Sequence, residues 1–545
     1  MSLISRFAAW KLFLPPAETY AVTHARDLPV PMPDGTVLLA DHFFPTRGPN
    51  RPTILVRSPY GRAGVVFDLV ARPLAERGFQ VLVQSCRGTF GSGGDFIPFR
   101  DDRADGLATI AWLRQQPWYT GEFALFGPSY LSYVQWAVAD RAGPELKALV
   151  PIVTAAEFRS ITYPGEGFAL DTILSWSQGM VTQKEPPLKF LFSQPGYARK
   201  LAKALMRLPL NETDKAAAGV TVNFYQDWLA HNPPCDPWWD ATDHREAVAA
   251  VEAPVHLIGG FYDVLFLTTL DCYRRLREAG RNPYLTIGPW THGGSALQPV
   301  MMAETIHWLR AHLLGDRSGL RADPVRLFVM GAGEWRDFKS WPPAGYAAQP
   351  WHLQAGRGLS PALPSEAAPD RYCYDPADPT PSVGGTSLTA NSGPKDNIRL
   401  EARKDVLVYT SAPLERDLEV IGPVRVELYA GSSLTHTDFF ARLCDVFPDG
   451  RSINLCDGIT RLEPEAFIQA EEGVIRVAFD LWPTANVFKA GHRVRLQVSS
   501  GAHPRFARNP GSGEPLASAV RLIPADQTVF HDPRRPSAVI LPVKP

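Results

Sequence analysis

Three side chains in this sequence are of the types that perform acyl transfer: a serine, an aspartate and a histidine, in that chain order. Ser129 follows the apolar run Phe123–Phe126 through Gly127 and Pro128, and the helix-compatible SYVQWAVADR comes after Tyr130 and Leu131. A serine held between strand and helix, with glycine two residues before it, is the arrangement of a nucleophile elbow, in which a tight turn lifts the hydroxyl above a sheet. The match is incomplete, because Leu131 stands where the G-x-S-x-G pattern has its second glycine. A helix-capping serine would read the same way. Asp263 follows the run Val255–Ile258 through Gly-Gly-Phe-Tyr, and His292 follows Tyr284–Ile287 through Gly-Pro-Trp-Thr. Either residue alone could be an ordinary loop residue. Together the three share one position, just past the C-terminal end of a strand, and that is where open α/β sheets carry their ligands.

The elements that would hold these residues follow from the hydrophobic pattern. Tyr20 to Pro45 reads as a hairpin around a Pro33 to Gly35 turn. The runs Thr53–Val56, Val81–Val83 and Phe123–Phe126 alternate with the helical stretches Val65–Arg77, interrupted at Pro73, and Asp102–Gln115. That alternation predicts a parallel sheet covered by helices. The theme resumes with Val255–Ile258 and Tyr284–Ile287 and closes with the helix ETIHWLRAHLLG. Between these parts lie aromatic, helix-compatible segments with no strand alternation. After about residue 320 the chain turns to short β-type runs such as VRLFVM, GPVRVELYAG and HRVRLQVSS, the pattern of an all-β sandwich. Residues 356–393, rich in Pro, Ser, Ala and Asp, read as one long connection. The fold class expected is α/β: a discontinuous catalytic domain over 1–150 and 245–318, a helical insertion over 151–244, and an all-β domain over 319–545.

Five stretches resemble the cocaine esterase and X-Pro dipeptidyl-peptidase family of serine hydrolases: Ser58-Pro59-Tyr60, Cys86-Arg87-Gly88, Gly127 to Leu131, Gly260 to Asp263 and Ile287 to His292. FIPFRDDRADGLATIAWLRQQPW before the elbow and TDFFARLCDVFPDGRSINLCDGITR in the C-terminal part match as well, so the resemblance runs through most of the chain in order. It implies an α/β-hydrolase core, a helical cap and a C-terminal jelly roll. It implies that Ser129, Asp263 and His292 form a catalytic triad, and that Tyr60 gives its phenol to an oxyanion hole shared with the Tyr130 backbone N–H. Ser132 departs from the glycine common in close relatives, and a residue so small is expected to matter little.

The family spans esters, amino-acid esters and X-Pro peptides, and the residues around Asp263 bear on that choice. Related α-amino-acid ester hydrolases carry acidic residues after the triad aspartate to bind a substrate ammonium, whereas here Val264, Leu265 and Phe266 follow. A desolvated ammonium without a carboxylate partner costs several kcal/mol. A small, largely uncharged acyl group is therefore expected, with X-Pro dipeptidyl-peptidase or another aminoacyl hydrolase as the alternative. Glu166 and Asp171 could serve an amine or be plain solvated residues. Tyr163, Phe168, Trp176 and Phe261 are candidates for an aromatic pocket wall, with ordinary core as the competing reading. A ligand-binding protein with a vestigial hydrolase domain is the rival from another class.

Other features point away from further chemistry. Gly88 to Gly94 lacks the spacing of a dinucleotide or phosphate loop. His307 and His312, five apart, do not share a helix face as zinc ligands would, and Asp438 and Asp445 read as loop-shaping residues outside any dense acidic cluster. No cofactor or metal is expected. The 55 Lys+Arg against 56 Asp+Glu give no global pull toward nucleic acid or acidic membranes. The six cysteines show no C-x-x-C pair and read as free thiols, no apolar run reaches membrane length, and with Arg6 and Lys11 interrupting MSLISRFAAWKLFLPP no secretory leader is expected. The expectation is a cytoplasmic enzyme of a small-molecule ester or amide, its assembly into homo-oligomers left open.

Overall fold

Pro33, Asp34 and Gly35 reverse the chain as expected: Gly35 takes a φ of 84°, and the Asp34 carboxylate accepts the Thr36 N–H at 2.9 Å. The flanking strands β1 (Val22–Pro31) and β2 (Val37–Pro45) pair antiparallel with Val30 opposite Leu38. The hairpin then pairs antiparallel with β4 (Gln80–Ser85), which lies parallel to β3 (Thr53–Ser58). β3 in turn lies parallel to β5 (Phe123–Pro128), and β5 to β6 (Leu146–Ile152). With β7 (His256–Tyr262) and β8 (Tyr284–Thr291) the strand order is β1-β2-β4-β3-β5-β6-β7-β8. β3, β4 and β7 are buried at every residue, as a sheet covered on both faces requires.

These coordinates are a computed structural model describing residues 2–183, 187–468 and 470–545. They form two compact units. The first comprises Met1–Phe158, Pro237–Gly260 and Leu265–Arg326, and holds the sheet just described. The second comprises Arg159–Asp236, Phe261–Val264 and Leu327–Pro545. Among the described residues, no helix is long and apolar enough to cross a membrane, and the six cysteines are unpaired.

The second unit combines helices with an all-β domain. Its helices include Leu170–Thr182, Pro187–Leu205 and Asn223–Ala230. The long strands Leu418–Ser432 and Ile475–Phe488 pair antiparallel, with a register shift at Gly422. Phe440, Ile459, Ala502 and Phe506 form part of the core. A Cβ on Gly165 would lie 1.9 Å from the Ile459 carbonyl oxygen, so only glycine lets the helical segment press onto strand Ser452–Leu462.

Four details differ from the sequence reading. LKALVPI forms β6, a strand the sequence reading leaves unassigned because Lys147 and Pro151 interrupt its apolar run. The helix Val65–Ala75 runs through Pro73 and ends two residues later. Pro73 stands in the helix's last turn, where the missing N–H interrupts only the end of the hydrogen-bond ladder. The connection over 356–393 contains two short strands, Gly358–Ser360 and Asp370–Tyr374, the second held by pairing with Ala525–Asp532 across more than 150 residues. Asp438 and Asp445 lie not in loops but buried within strand Thr437–Val446, the first paired with the Arg461 guanidinium and the second hydrogen-bonded to the His492 ring, each at 2.8 Å.

Asp171 sits at the start of a helix, 2 % exposed, accepting from the Ser387 hydroxyl at 2.6 Å and the Thr172 hydroxyl at 3.1 Å. Burial raises its carboxyl to about 6, against the opposing pull of Ser387 and Arg505. Because the folded state holds this proton more tightly than the unfolded chain, the associated stability is present below about pH 4 and lost as pH rises through 6. Asp171→Asn is therefore expected to raise the melting temperature relative to wild type more at pH 8 than at pH 4, by about 2 °C or more. Equal differences at the two pH values, measured by thermal unfolding, would contradict this.

Candidate active site

The turn between β5 and the helix Tyr130–Ala139 places Ser129 at φ 59°, ψ −124°. A non-glycine residue in this region carries strain of order 1–3 kcal/mol and persists only where its surroundings fix it. They do so here through the backbone. The Ser129 N–H donates to the Ile152 carbonyl at the end of β6 (2.9 Å), and the Ser129 carbonyl accepts from the Ser132 N–H (2.8 Å). The Ser132 hydroxyl adds a further bond to the same carbonyl at 2.5 Å. The Gln135 side-chain amide, one turn on, lies 3.1–3.3 Å from the carbonyls of Gly127, Leu131 and Val150. The serine at 132 is thus a working part of the turn.

Gly127 has φ 149°, and a Cβ built there would sit 2.4 Å from the Leu131 Cβ. The absent second glycine of the pattern is explained by this contact. Leu131 takes the space over Gly127, so the whole requirement for a missing side chain falls on position 127.

His292 follows β8 directly, and its Nε2 lies 3.1 Å from the Ser129 Oγ. Two glycines set the path of that loop. A Cβ on Gly288 would fall 2.1 Å from the Trp290 ring, and one on Gly260 in β7 2.4 Å from the same indole. The Trp290 indole therefore packs over Gly288 of its own strand and Gly260 of β7, two residues before the histidine. Asp263 is fully buried directly beyond β7.

Tyr60 is half-buried just beyond β3, with its N–H bonded to the Ser58 hydroxyl at 3.0 Å. β3 is the parallel neighbour of β5, so Tyr60 and Ser129 leave the sheet at the same edge. Tyr130 occupies the first helical position, where an N–H has no carbonyl of its own helix to meet. Its side chain points the other way, the hydroxyl donating to Asp102 at 2.6 Å. Asp102 was not singled out from the sequence. An acidic residue opening a helix reads as an ordinary dipole partner, and nothing local ties it to a tyrosine 28 positions away.

The aromatic candidates occupy different settings. Phe168 is fully buried against Tyr163 and Tyr225, and Tyr163 is 3 % exposed with its hydroxyl donating to the Trp228 carbonyl at 2.6 Å. Trp176 is half-buried, its ring 5.5 Å from Phe224 and 5.8 Å from Trp228. Phe261 is 2 % exposed. The acidic candidates are engaged within the protein. Glu166 pairs with Arg159 at 2.6 Å, and Asp171 holds the hydroxyl partners described above. The glycine-rich loop closes on itself, with the Gly88 N–H bonded to the Gly93 carbonyl at 2.9 Å and a Cβ on Gly88 blocked 2.2 Å from the Phe96 nitrogen.

The sequence matches the X-Pro dipeptidyl-peptidase (S15) family over residues 34–294 and the X-Pro dipeptidyl-peptidase C-terminal non-catalytic domain over 319–540. It is 34 % identical to the cocaine esterase of Rhodococcus sp. (strain MB1 Bresler), an alignment covering 95 % of this chain and 98 % of that one. An aminopeptidase from a marine sediment archaeon, Thaumarchaeota archaeon, superposes with a TM-score of 0.83 at 21 % identity, over 98 % of each chain. An α-amino acid ester hydrolase superposes with a TM-score of 0.82 at 21 % identity, over 97 % of this chain and 98 % of that one.

Gly127→Ala is expected to destabilise the protein by about 2 kcal/mol or more through the contact with Leu131 and the positive φ. Adding Leu131→Gly should return part of the loss. Denaturant titration of the single and double variants checks this, and a double variant no more stable than Gly127→Ala would show that the contact is not the cause.

Proposed function

The chain belongs to the cocaine esterase and X-Pro dipeptidyl-peptidase family of serine hydrolases, and from that premise we propose that it cleaves carboxylic esters of small, largely uncharged acyl groups through an acyl-enzyme on Ser129. The observation that carries this reading is the 3.1 Å approach of His292 Nε2 to the Ser129 hydroxyl on the elbow. In the scheme, Nε2 takes the hydroxyl proton as Oγ attacks the ester carbonyl, then returns it to the departing alkoxide. Water repeats the sequence on the acyl-enzyme, with His292 as the base and Ser129 as the leaving group. Asp263 is assigned the task of holding the imidazole tautomer, on its chain order and its buried place beyond β7. The tetrahedral oxyanion is met by the Tyr60 hydroxyl and the Tyr130 N–H, the latter reinforced by the positive end of the elbow helix.

The preference for an uncharged acyl group rests on what surrounds Asp263 and on what the acidic candidates are doing. Leu265 and Phe266 are buried apolar residues, and Glu166 and Asp171 already hold partners of their own. Among the aromatic candidates, Trp176 is half-buried, while Phe261, Phe168 and Tyr163 are buried. The family description favours a second reading, an X-Pro dipeptidyl-peptidase.

A fluorophosphonate probe should label the wild type and leave Ser129→Ala unmodified; a folded wild type that stays unlabelled would point to a binding protein instead. A panel of p-nitrophenyl esters beside Gly-Pro and Ala-Pro anilides should show turnover on the short-chain esters, and preference for the anilides would select the peptidase.

Removing one oxyanion donor costs about 2.7–4 kcal/mol in comparable sites. Tyr60→Phe is therefore expected to fold normally and to slow acylation about a hundredfold or more, as read from pre-steady-state release of p-nitrophenol. Near-normal acylation in that variant would remove Tyr60 from the scheme.

A further inference from the structure

Beneath the elbow lies a carboxylate that the scheme above does not use. Asp102 opens the helix Asp102–Leu113 and is 5 % exposed. Its Oδ2 accepts the Tyr130 hydroxyl at 2.6 Å, and that hydroxyl accepts the Phe99 N–H at 2.9 Å, so the phenol both donates and accepts. Arg57 stands on the far side, its Nη2 3.7 Å from Oδ1 and its Nη1 donating to the Asp102 carbonyl at 2.7 Å. Arg57 is fixed in turn by the Gln84 side chain at 2.9 Å. Burial pushes the Asp102 carboxyl up, with Arg57 and the Tyr130 hydroxyl opposing it.

The surroundings of the phenol are equally constrained. Phe99 occupies the left-handed region at φ 68°, and its ring stacks on Tyr130 with centroids 4.6 Å apart. Its carbonyl lies 3.1 Å from the hydroxyl of Tyr133, one turn further along the elbow helix. The first turn of that helix thus grips a single residue by both sides of its backbone, and a strained φ survives because so many contacts determine it. A Cβ on Gly106 would fall 2.5 Å from a Val138 methyl, so the helix bearing Asp102 packs directly on the elbow helix.

We propose that Asp102 is a positioning residue for the oxyanion hole: through the Tyr130 phenol it fixes the first peptide of the elbow helix, whose N–H meets the developing oxyanion. The inference rests on the reading of Ser129 as the nucleophile. Its logic is that one residue supplies both ends of the device. The Tyr130 N–H faces the chemistry, the Tyr130 hydroxyl is anchored in the interior, and rotating the peptide would pull the phenol away from Asp102 and Phe99 together. An oxyanion donor acts only if it is in place before charge develops, and misplacement of about 1 Å can cost up to about a hundredfold. Loss of the anchor should therefore appear in kcat and leave KM alone.

Tyr130→Phe, Asp102→Asn and the double variant, made in the full chain, test this on p-nitrophenyl acetate. Beside Asp102 and Tyr130, a cavity of about 10 Å3 bordered by Cys86 and Asp105 has room for about one water, which can meet the carboxylate in Tyr130→Phe. Each single variant is expected to lose roughly tenfold or more in kcat with KM within about twofold. The inhibition constant of an alkyl trifluoromethyl ketone, whose serine adduct carries the oxyanion, should rise by the factor that kcat/KM falls. The double variant should lose no more than the worse single one, because both break one connection. Folded variants with kcat within about twofold of wild type, losses confined to KM, or losses that multiply in the double variant would each overturn the proposal. Should Tyr130→Phe fail to fold, Asp102→Asn decides by the same measures, since it keeps the size of the side chain while replacing the charged acceptor of the phenol with a weaker neutral group. A wild type that labels and turns over while both variants equal it overturns the positioning role alone. A wild type inert to probe and ester overturns the Ser129 reading, and this role with it.

Discussion

The constraint on which the rest of the catalytic unit depends is the backbone conformation at Ser129. A serine at φ 59° stores strain, and a chain free to relax would turn the hydroxyl away from the edge of the sheet. Every neighbouring feature opposes that relaxation. β6 holds the Ser129 N–H, Ser132 holds its carbonyl twice over, and Gln135 bridges the carbonyls before and after the turn. Gly127 leaves room for Leu131 to close over the strand end. The sheet supplies position and the helix supplies satisfied backbone groups, and neither would hold the serine alone.

The other residues of the proposed site are placed by the same economy of means. Parallel strands end at one edge, so residues distant in the chain leave the sheet there with little intervening loop. Tyr60 beyond β3, Ser129 beyond β5, Asp263 beyond β7 and His292 beyond β8 each follow a strand within a few residues. Short tethers matter for a reaction that tolerates errors of only a fraction of an ångström. The tethers are stiffened by glycines that admit bulky neighbours and by hydrogen bonds to the backbone of the turn.

How much of this was legible in the sequence divides along one line. Strand, turn and helix around Ser129 could be read because all the information is local: an apolar run, a glycine, a proline, then helical periodicity. The hairpin at Asp34-Gly35 was legible for the same reason. Pairings over long separations were not. The Asp102–Tyr130 bond spans 28 residues, strand Asp370–Tyr374 is defined by a partner far down the chain, and Asp438 looks like a loop residue until Arg461 is placed opposite it in the neighbouring strand. Leu131 lies between these cases. It appeared as a defect in a pattern, and only its distance to Gly127 shows that the pattern's two glycines answer a single steric demand.

The indole of Trp290 gives that demand a wider form. Its ring, a side chain at 260 and a side chain at 288 would compete for one volume, so the three positions behave as a single choice. Substitution at any of them is coupled to the others, and a change that enlarges 260 or 288 must first displace the tryptophan. Variation among descendants of this protein should then be found around this trio and seldom within it, and attempts to reshape this edge of the sheet by directed evolution will meet a fixed wall there.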